Sequence, residues 1–498
     1  MNKFFQSIFY IIVIVTSVAC SDDDSFTTST TNRLTFGVDT ICLDTVFSTI
    51  PSPHKVQMVY NHSGDGIRIT NVRLKNGNQT GFRVNVNGSY LGEKTGWQVN
   101  DLELRQNDSL RVFVELTSAN NNDTLPKLIS DDLLFTLESG VSQKINLKAW
   151  SWDAYLLKDV VLNNDTVISN LHGKPVVIYG NLRVPNGVTL TVAPSTTIYF
   201  HNEAGLQIDG TLKAKGEVNK EITLRCDRLD RMVSNLTYDN NPGQWGGIHF
   251  SSNSYDNEIR FTDLHGATNA IVCDSSDTPT LSKLLISNTT IHNIKGNGIK
   301  AVNGNITIDN TQVSNTQDTC VAVIGGTLNI NNSTIAQYYP FDANRGPALV
   351  FGNSEGGNII PLNLNVKNSI IKGYNDDVIY RTASSVDSVM AVDFSYCILR
   401  TPQTESSEHI TFDNCIFEDV KDTLTNGRNS FKLFDTDYFF YDFTPKEGTA
   451  AIGAANPATV LPEDRKGNAR SKEKPDMGCY ETNKVVDKDE ENNNNATE

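Results

Sequence analysis

A short pattern recurs at a nearly fixed interval in the second half of this 498-residue chain. Each copy starts on an apolar residue, passes through polar residues and ends on another apolar residue. The three clearest copies occupy residues 286–291, 308–313 and 330–335, and their asparagines lie 22 residues apart. Looser copies occupy residues 259–264, 366–371, 394–399 and 412–417. A fixed interval of this length is typical of a solenoid, in which each repeat forms one coil stacked on the previous coil.

Each copy predicts two short strands joined by a tight turn at the asparagine. Strands of neighbouring coils would pair in parallel about 4.8 Å apart, with isoleucines and valines pointing into a continuous core. Asparagine suits the turn because it tolerates the left-handed backbone conformation. We also predict that the side-chain amides of Asn288, Asn310 and Asn332 hydrogen-bond to one another along the stack. The leucine positions of a leucine-rich repeat are missing, so the predicted fold is a parallel β-helix.

Two segments upstream of the repeat carry a family resemblance. The sequences LRVPNGVTLTVAPSTTIYF at residues 182–200 and QWGGIHF at residues 244–250 resemble the first coils of pectin-lyase-like proteins. The resemblance implies a right-handed parallel β-helix over residues 151–481, and several families of this kind act on carbohydrates. Before Asn368 the interval between asparagines grows to 36 residues, which predicts a loop leaving the coil around residues 338–357.

Residues 33–150 show a different pattern. Short alternating segments such as VQMVY at residues 56–60 and FRVNV at residues 82–86 are separated by turn residues, without a helical period. Regular short strands predict a β-sandwich. The region resembles the Ig-like N-terminal domains of Bacteroidota surface lipoproteins, which implies a spacer rather than a catalyst. The predicted fold class is therefore all-β, with an Ig-like sandwich followed by a right-handed parallel β-helix.

The first twenty residues predict export. Lys3 precedes an apolar run at residues 8–15 that is too short to span a bilayer, as in a signal peptide over residues 1–19. The following Val18-Ala19-Cys20 resembles the lipobox of bacterial lipoproteins. This resemblance implies that Cys20 carries acyl chains that insert into outer-membrane lipid. The alternative is an ordinary secretory peptide with an incidental cysteine.

An acidic run follows the predicted lipidation site. Ser21, Asp22, Asp23 and Asp24 resemble the surface-export signal of Bacteroidota lipoproteins, which implies an outer-membrane protein exposed at the cell surface. The same residues begin a flexible acidic tether that we predict over residues 20–32. The two interpretations are compatible.

The C-terminal region carries a second resemblance. Asp464, Arg470 and Asp476 belong to a segment that resembles the C-terminal signature of Bacteroidota β-helix proteins. The resemblance implies a cap over the open coil edge, whose unpaired backbone groups would otherwise promote aggregation. We predict that these three residues form structural ion pairs. The polar residues 482–498 are predicted to be a disordered tail.

Charge and cysteine content restrict the partners. The formal net charge of −16 argues against nucleic-acid binding, because a phosphate-binding face requires clustered Lys and Arg. Asp-rich loops could supply oxygen ligands to calcium, so divalent-cation binding stays open. The cysteines show no zinc-binding spacing, and we predict neither a metal site nor a cofactor. The seven cysteines after Cys20 are far apart, which predicts buried thiols. Cys397 and Cys415 fall at equivalent repeat positions and are predicted to stack on neighbouring coils.

Candidate catalytic residues are few. The W-I-D-H-type segment of pectate lyases and the G-H-G and R-x-K segments of polygalacturonases are missing. Asp376 and Asp377 could form a two-carboxylate site, although adjacent aspartates are more often a solvated turn. His249, Asp263 and His265 could approach one another on adjacent coils as an acid–base group, the alternative being polar packing at the surface.

Aromatic residues near the predicted loop are candidates for ligand binding. Tyr338, Tyr339, Phe341 and Tyr374 could stack on sugar rings or could cover the flank of the coil. Three functions stay open: a glycan-binding or adhesive surface protein, a polysaccharide lyase or glycoside hydrolase, and a structural spacer. The first is favoured because the anchor, the stalk and the long flank are present while no catalytic set matches. Acidic, basic and aromatic residues converging in a groove would favour the enzyme, and a flat polar flank would favour binding or structure.

Overall fold

A computed structural model describes residues 25–170 and 173–482 of the chain. Contacts divide the chain into two compact units, Met1–Asp153 and Ala154–Glu498. Helical structure within the described residues is limited to short 3₁₀ turns, among them Glu93–Thr95, Tyr238–Asn240, Asp387–Val389 and Gly427–Ser430. The predicted all-β fold class is confirmed.

Several predictions made from the termini fall outside the described residues. They are the signal peptide, the lipidation site Cys20, the export residues Ser21, Asp22, Asp23 and Asp24, and the tail beyond residue 482. Within residues 25–170 and 173–482, no helix has both the length and the apolar character that crossing a bilayer requires.

The first unit consists of two five-stranded sheets. One sheet has the order β1-β3-β8-β5-β6 and the other the order β2-β10-β9-β4-β7. Among the strands of these two sheets in the described residues, all pairings are antiparallel except that of β2 with β10, which is parallel. The strands are β1 Thr35–Phe36, β2 Thr40–Phe47, β3 Lys55–Tyr60, β4 Ile67–Leu74, β5 Phe82–Val86, β6 Ser89–Tyr90, β7 Gln98–Leu104, β8 Ser109–Leu116, β9 Lys127–Leu137 and β10 Ser142–Trp152.

Alternation along the strands places one face of each sheet in a shared core. In β5 the side chains of Phe82, Val84 and Val86 are buried, while the residues between them are partly exposed. Phe135 and Leu147 from the other sheet belong to the same apolar cluster. Since a strand turns successive side chains to opposite faces, this pattern buries the two facing sheet surfaces against each other. The predicted β-sandwich is confirmed.

The second unit is a parallel β-helix. Within its described residues, twenty-five strands form one continuous sheet in chain order, and strands of successive coils pair in parallel. Three hairpins, β18–β19, β31–β32 and β40–β41, lie outside it. The strands are β11 Tyr155–Val161, β12 Thr166–Ile168, β13 Val176–Val184, β14 Thr189–Val192, β15 Thr197–Ile208, β16 Thr211–Lys215, β17 Ile222–Cys226, β18 Arg231–Val233, β19 Leu236–Thr237, β20 Gly247–Phe250, β21 Asn257–Arg260, β22 Thr262–His265, β23 Ile271–Cys273, β24 Leu284–Ser287, β25 Thr290–Ile294, β26 Ile299–Asp309, β27 Gln312–Thr316, β28 Val321–Asn331, β29 Thr334–Gln337, β30 Leu349–Gly352, β31 Ser354–Glu355, β32 Asn358–Ile359, β33 Leu362–Lys367, β34 Ile370–Gly373, β35 Ile379–Arg381, β36 Met390–Ser395, β37 Ile398–Leu399, β38 Ile410–Asp413, β39 Ile416–Phe417, β40 Phe431–Asp435 and β41 Phe440–Pro445.

The strand register aligns the seven copies of the repeat. Their first apolar residues pair from coil to coil in the order Ile259, Ile286, Ile308, Ile330, Val366, Phe394 and Phe412. Their last apolar residues pair in the order Leu264, Ile291, Val313, Ile335, Ile371, Leu399 and Phe417. Most of these side chains are buried in one core cluster. The repeat prediction is confirmed, since the seven predicted copies are present and their apolar residues are aligned from coil to coil.

The asparagines of the repeat occupy the predicted turn but bond to different partners. Asn288, Asn310, Asn332 and Asn368 have φ values between 46° and 50°, in the left-handed region. The amides of the first two donate to backbone carbonyls of residues 456–464 at 2.8 Å. The side-chain oxygens of Asn332 and Asn368 accept from backbone N–H groups within the same range, residues 456–464, at 2.9 and 2.8 Å. The predicted ladder of asparagine–asparagine bonds is therefore wrong.

The C-terminal segment, residues 446–482, runs along this turn. Besides its bonds to the asparagines, it places the Tyr480 hydroxyl 2.7 Å from the side-chain oxygen of Gln312. The guanidinium of Arg465 pairs with both oxygens of Glu221 at 2.6 and 3.0 Å. The segment thus follows the side of the β-helix over several coils, which corrects the predicted position over the coil edge.

The predicted ion pairs of this segment form only in part. Arg470 pairs with Glu481 at 3.4 Å, and both side chains are 1% exposed. Asp464 instead accepts from backbone N–H groups, among them that of Asn468 at 2.8 Å. Asp476 accepts from the backbone N–H of Gly453 at 2.7 Å. The two aspartates are acceptors that fix the backbone of the segment, because a buried carboxylate can satisfy several N–H groups at once.

The insertion before Asn368 is only partly a loop. Residues 338–348 leave the coil, but β30 rejoins it by pairing with β28, and the short hairpin β31–β32 follows. The sequence prediction missed β30 because its apolar run does not repeat the asparagine pattern.

The seven cysteines among the described residues are free, and the register pairs the residues next to Cys397 and Cys415 on neighbouring coils.

Candidate functional site

The adjacent aspartates do not face each other across a cleft. Asp376 is 74% exposed and pairs with Arg400 at 3.1 Å. Asp377 accepts from the hydroxyl of Thr401 at 2.8 Å and from the backbone N–H of Ile379 at 3.3 Å. Both side chains thus stabilise a turn, and the structure does not present them as the facing acid and base that glycoside hydrolysis requires.

Arg400 also belongs to a buried ion group. The carboxylate of Glu418, 1% exposed, lies 2.8 Å from Arg400 and 2.6 Å from Lys372. Burial by itself raises the pKa of Glu418, but the two cations outweigh it, so the pKa lies below its usual value. Glu418 also accepts from the backbone N–H of Gly427 at 2.8 Å. These bonds connect two coils to the segment that follows them, which is a structural role.

His249 lies apart from the two residues with which it was grouped. Its Nδ1 lies 2.7 Å from the side-chain oxygen of Gln207 and its Nε2 lies 2.9 Å from Asp274. Its side chain is 39% exposed. The strand β20 holds it on a different column of the helix from Asp263 and His265 in β22. The structure therefore does not bring the three candidates into one acid–base group.

Asp263 and His265 instead form a cluster with two residues that sequence reasoning missed. The Nδ1 of His265 lies 2.6 Å from Asp263, and its Nε2 lies 2.8 Å from Asp239. The Nε2 of His292 lies 3.3 Å from the same oxygen of Asp263. We call Asp239, Asp263, His265 and His292 the histidine cluster.

Strand register produces the histidine cluster. His265 of β22 pairs with His292 of β25, one coil later, and their rings stack with centroids 4.8 Å apart. Asp263 lies two residues before His265, so both side chains leave the strand on the same face. Asp239 is supplied by the 3₁₀ turn Tyr238–Asn240. Aligning the repeat copies predicts the histidine pair, since each follows the last apolar residue of its copy, whereas Asp239 lies outside the repeat.

The two carboxylates fix the charge of His265. Burial alone would lower the pKa of His265, but Asp263 and Asp239 raise it to about 10. Partial burial raises the pKa of Asp263, yet His265 and His292 outweigh that effect and hold it well below the usual value. In this state both ring nitrogens of His265 donate, so it cannot act as a proton acceptor near neutral pH.

Charged neighbours of the histidine cluster are themselves paired. Arg225, on the preceding strand β17, lies 2.9 Å from Asp239 and 5.5 Å from the ring centroid of Tyr199.

Asp263 and His292 keep 34% and 23% of their side-chain surface exposed, so solvent reaches one side of the cluster. The cluster therefore contains acidic and basic groups in contact with solvent, an arrangement capable of acid–base chemistry or of binding a cation.

The aromatic candidates do not form an open platform. Tyr338 and Tyr339 are 1% and 4% exposed. Phe341 stacks on Phe439 with ring centroids 5.0 Å apart, and the guanidinium of Arg345 lies 4.2 Å from the ring centroid of Tyr374. These side chains therefore pack against the flank of the coil, which was the alternative interpretation of the sequence.

One side of the β-helix carries a regular polar surface. It is built by the outward side chains of the paired strands β26, β28, β33 and β36. One column contains Thr307, Asn329, Asn365 and Asp393, and the neighbouring column contains Asn305, Thr327 and Asn363. All seven are half-buried or exposed. We call these seven residues the polar face.

Hydrogen bonds hold part of the polar face in a fixed arrangement. The amide of Asn365 donates to the side-chain oxygens of Asn329 at 3.1 Å and Asn363 at 3.0 Å. Amides offer both donors and acceptors, and the parallel ladder spaces them by about 4.8 Å along the helix. The polar face therefore offers a repeating and almost uncharged set of hydrogen-bonding groups.

Comparisons with known proteins do not assign this chain to a family. No family model and no curated protein matches the chain. Similar solved structures include the pectate lyase Pel9A, with 12% identity, coverage of 66% of this chain and 88% of that one, and a TM-score of 0.36. The catalytic unit of a thermostable GH87 α-1,3-glucanase from Streptomyces thermodiastaticus matches with 9% identity, coverage of 73% and 88%, and a TM-score of 0.21.

A third solved structure matches over a short stretch. It is a family 123 glycoside hydrolase from Clostridium perfringens, with 10% identity and a TM-score of 0.18. The match spans 26% of that protein and 24% of this chain. Likenesses of this strength carry no argument about activity.

Proposed function

We propose that this protein is a lipid-anchored outer-membrane protein of the bacterial cell surface that binds complex glycans without cleaving them. The observation that carries the proposal is the polar face, a regular array of amides and hydroxyls with one carboxylate on four stacked strands. Sugar hydroxyls both donate and accept hydrogen bonds, so they match side chains with the same capacity. A rigid β-sheet holds these groups in place before binding, which reduces the entropy lost on association.

The contacts made by the residues that the sequence suggested as catalytic favour binding over cleavage. Asp376 and Asp377 stabilise a turn, and His249 lies between Gln207 and Asp274. Glycoside hydrolysis requires an acid and a second carboxylate on opposite sides of the scissile bond. The polar face contains a single carboxylate, that of Asp393, and so lacks this pair.

A glycan screen tests the binding proposal. The purified protein is expected to bind at least one complex glycan, and Asn329→Ala combined with Asn365→Ala is expected to weaken binding by about tenfold or more, because several hydrogen bonds of about 1 kcal/mol each are lost. Asn163→Ala, an exposed asparagine of the first coil, serves as the matched control and should leave affinity unchanged. Equal affinity in the double variant and the wild type would show that the polar face is not the binding surface.

The anchor is tested separately. Cells supplied with a palmitate analogue should label the wild-type protein and not Cys20→Ala, because only a lipidated cysteine carries acyl chains at this position. Protease added to intact cells should remove the protein, and replacing Asp22, Asp23 and Asp24 by alanine should protect it. Equal labelling of wild type and Cys20→Ala would exclude the predicted anchor.

A polysaccharide lyase or hydrolase is the second candidate function, and the histidine cluster is the observation that favours it. Acidic and basic side chains converge there with access to solvent. If the protein is such an enzyme, incubation with pectins, alginate, glycosaminoglycans or mucin glycans should produce new double bonds or reducing ends. His292→Ala should abolish that turnover and His249→Ala should not. No turnover on any of these substrates is the result that our proposal predicts.

A further inference from the structure

The histidine cluster has the composition and spacing of a metal site. One donor atom each from Asp263, His265 and His292 lies within 4.8 Å of the others. Two imidazole nitrogens and one carboxylate oxygen form a mixed nitrogen and oxygen set, which suits Zn²⁺ and related transition metals. Calcium prefers six to eight oxygen ligands, which this group does not supply. From sequence we predicted no metal site, because His265 and His292 are far apart in the chain and only alignment of the repeat copies indicates that they meet.

We propose that Asp263, His265 and His292 bind one divalent transition-metal ion of the Zn²⁺ class. Bonds of about 2.0–2.1 Å in tetrahedral geometry place neighbouring donor atoms roughly 3.3 Å apart. The Nε2 of His292 is already 3.3 Å from Asp263. The Nδ1 of His265 is 2.6 Å from the same oxygen, so this pair has to open by about 0.7 Å to admit the ion.

Asp239 completes the arrangement as an orienting residue. It lies 2.8 Å from the Nε2 of His265, the nitrogen that points away from Asp263. Metal-binding histidines commonly donate their second N–H to a carboxylate, which fixes the ring and strengthens the ligand. The present geometry already supplies this bond, so ligand orientation does not depend on the arrival of the ion.

The ion takes the place of the Nδ1 proton of His265, which is released to solvent, and the remaining charges then leave a net attraction for a cation. The charge of Asp239 is matched by Arg225 at 2.9 Å, and that of Glu221 by Arg465 at 2.6 Å. With both imidazoles neutral in the metal-bound state, the carboxylate of Asp263 supplies the negative charge that faces the ion. Solvent reaches Asp263 and His292, so water can occupy the fourth position of a tetrahedral ion.

The proposal is tested by titrating the chelator-treated full chain with ZnCl₂ in a calorimeter. We expect one Zn²⁺ per chain, with affinity at least about 100-fold weaker in His292→Ala and about 10–100-fold weaker in Asp239→Asn. His249→Ala is the matched control, since it removes another half-exposed histidine of the same unit, and should bind as the wild type does. Absence of saturable binding, or equal affinity in wild type and His292→Ala, would overturn the proposal.

A second measurement does not depend on any variant. CoCl₂ added to the wild-type protein should give the intense visible absorption of a four-coordinate nitrogen and oxygen site, and stoichiometric ZnCl₂ should remove it. Weak absorption unchanged by ZnCl₂ would contradict the assignment. Because the polar face and the histidine cluster use different residues, loss of metal binding leaves the glycan proposal standing, and the reverse holds as well.

Discussion

Replacing Arg470 by alanine is expected to lower the free energy of unfolding of the β-helix by about 3–5 kcal/mol. The guanidinium is 1% exposed and donates to the carboxylate of Glu481, which is buried to the same extent. It also donates to the side-chain oxygen of Asn310 at 3.0 Å and to the carbonyl of Gly478 at 2.9 Å. Removing it leaves a buried charge and several acceptors without partners, which costs more than the bonds themselves contribute.

Urea unfolding followed by circular dichroism measures this effect. Arg470→Lys should have an intermediate free energy of unfolding, because lysine keeps the charge but lacks the several N–H donors of the planar guanidinium. Arg183→Ala is the surface control. Arg183 pairs with Asp209 at 2.6 Å but is 59% exposed, so its loss should cost less than about 1 kcal/mol. Similar unfolding midpoints for Arg470→Ala and Arg183→Ala would mean that the C-terminal segment does not stabilise the β-helix.

Replacing Glu418 by glutamine is expected to cost about 3–5 kcal/mol near neutral pH, since it leaves Lys372 and Arg400 without their buried counter-charge. The effect should depend on pH. The folded state lowers the pKa of Glu418, so its contribution is present above the unfolded pKa of about 4.3 and is lost as pH falls through the folded value. The stability gap between wild type and Glu418→Gln should therefore narrow only under acid conditions.

Denaturant midpoints at about pH 7, pH 5 and pH 3 test this dependence. Glu217→Gln is the control, because Glu217 pairs with Lys220 at 3.0 Å while 57% exposed, and screening by solvent makes such a pair weak. A gap for Glu418→Gln that stays constant down to about pH 3 would show that Glu418 is not held in its charged form by the two cations.

The β-helix could be predicted because its core is encoded by local repetition. The apolar residue that opens each copy, from Ile259 to Phe412, occupies one column in the structure, and the spacing alone reveals that register. The turn conformation followed from the residue type, since asparagine tolerates positive φ. Both properties follow from the short repeated pattern itself and require no knowledge of more distant segments.

The partners of the turn could not be predicted in the same way. The amide of Asn310 bonds to Glu463, 153 residues later, and no spacing in the sequence connects the two. Asp239 of the histidine cluster was missed for a related reason, since it comes from a segment between coils. Burial of Tyr338 depends on packing against Phe431, Phe434 and Phe443, which lie far away in the sequence, and residue type does not specify such contacts.

The most direct test of glycan binding by the polar face is a crystal structure of the protein with an oligosaccharide chosen from the glycan screen. We expect an intact oligosaccharide lying along the polar face, with hydrogen bonds to Asn329 and Asn365. An oligosaccharide bound at the histidine cluster instead of the polar face would contradict the proposal. A cleaved oligosaccharide would also contradict it and would show that the protein is an enzyme.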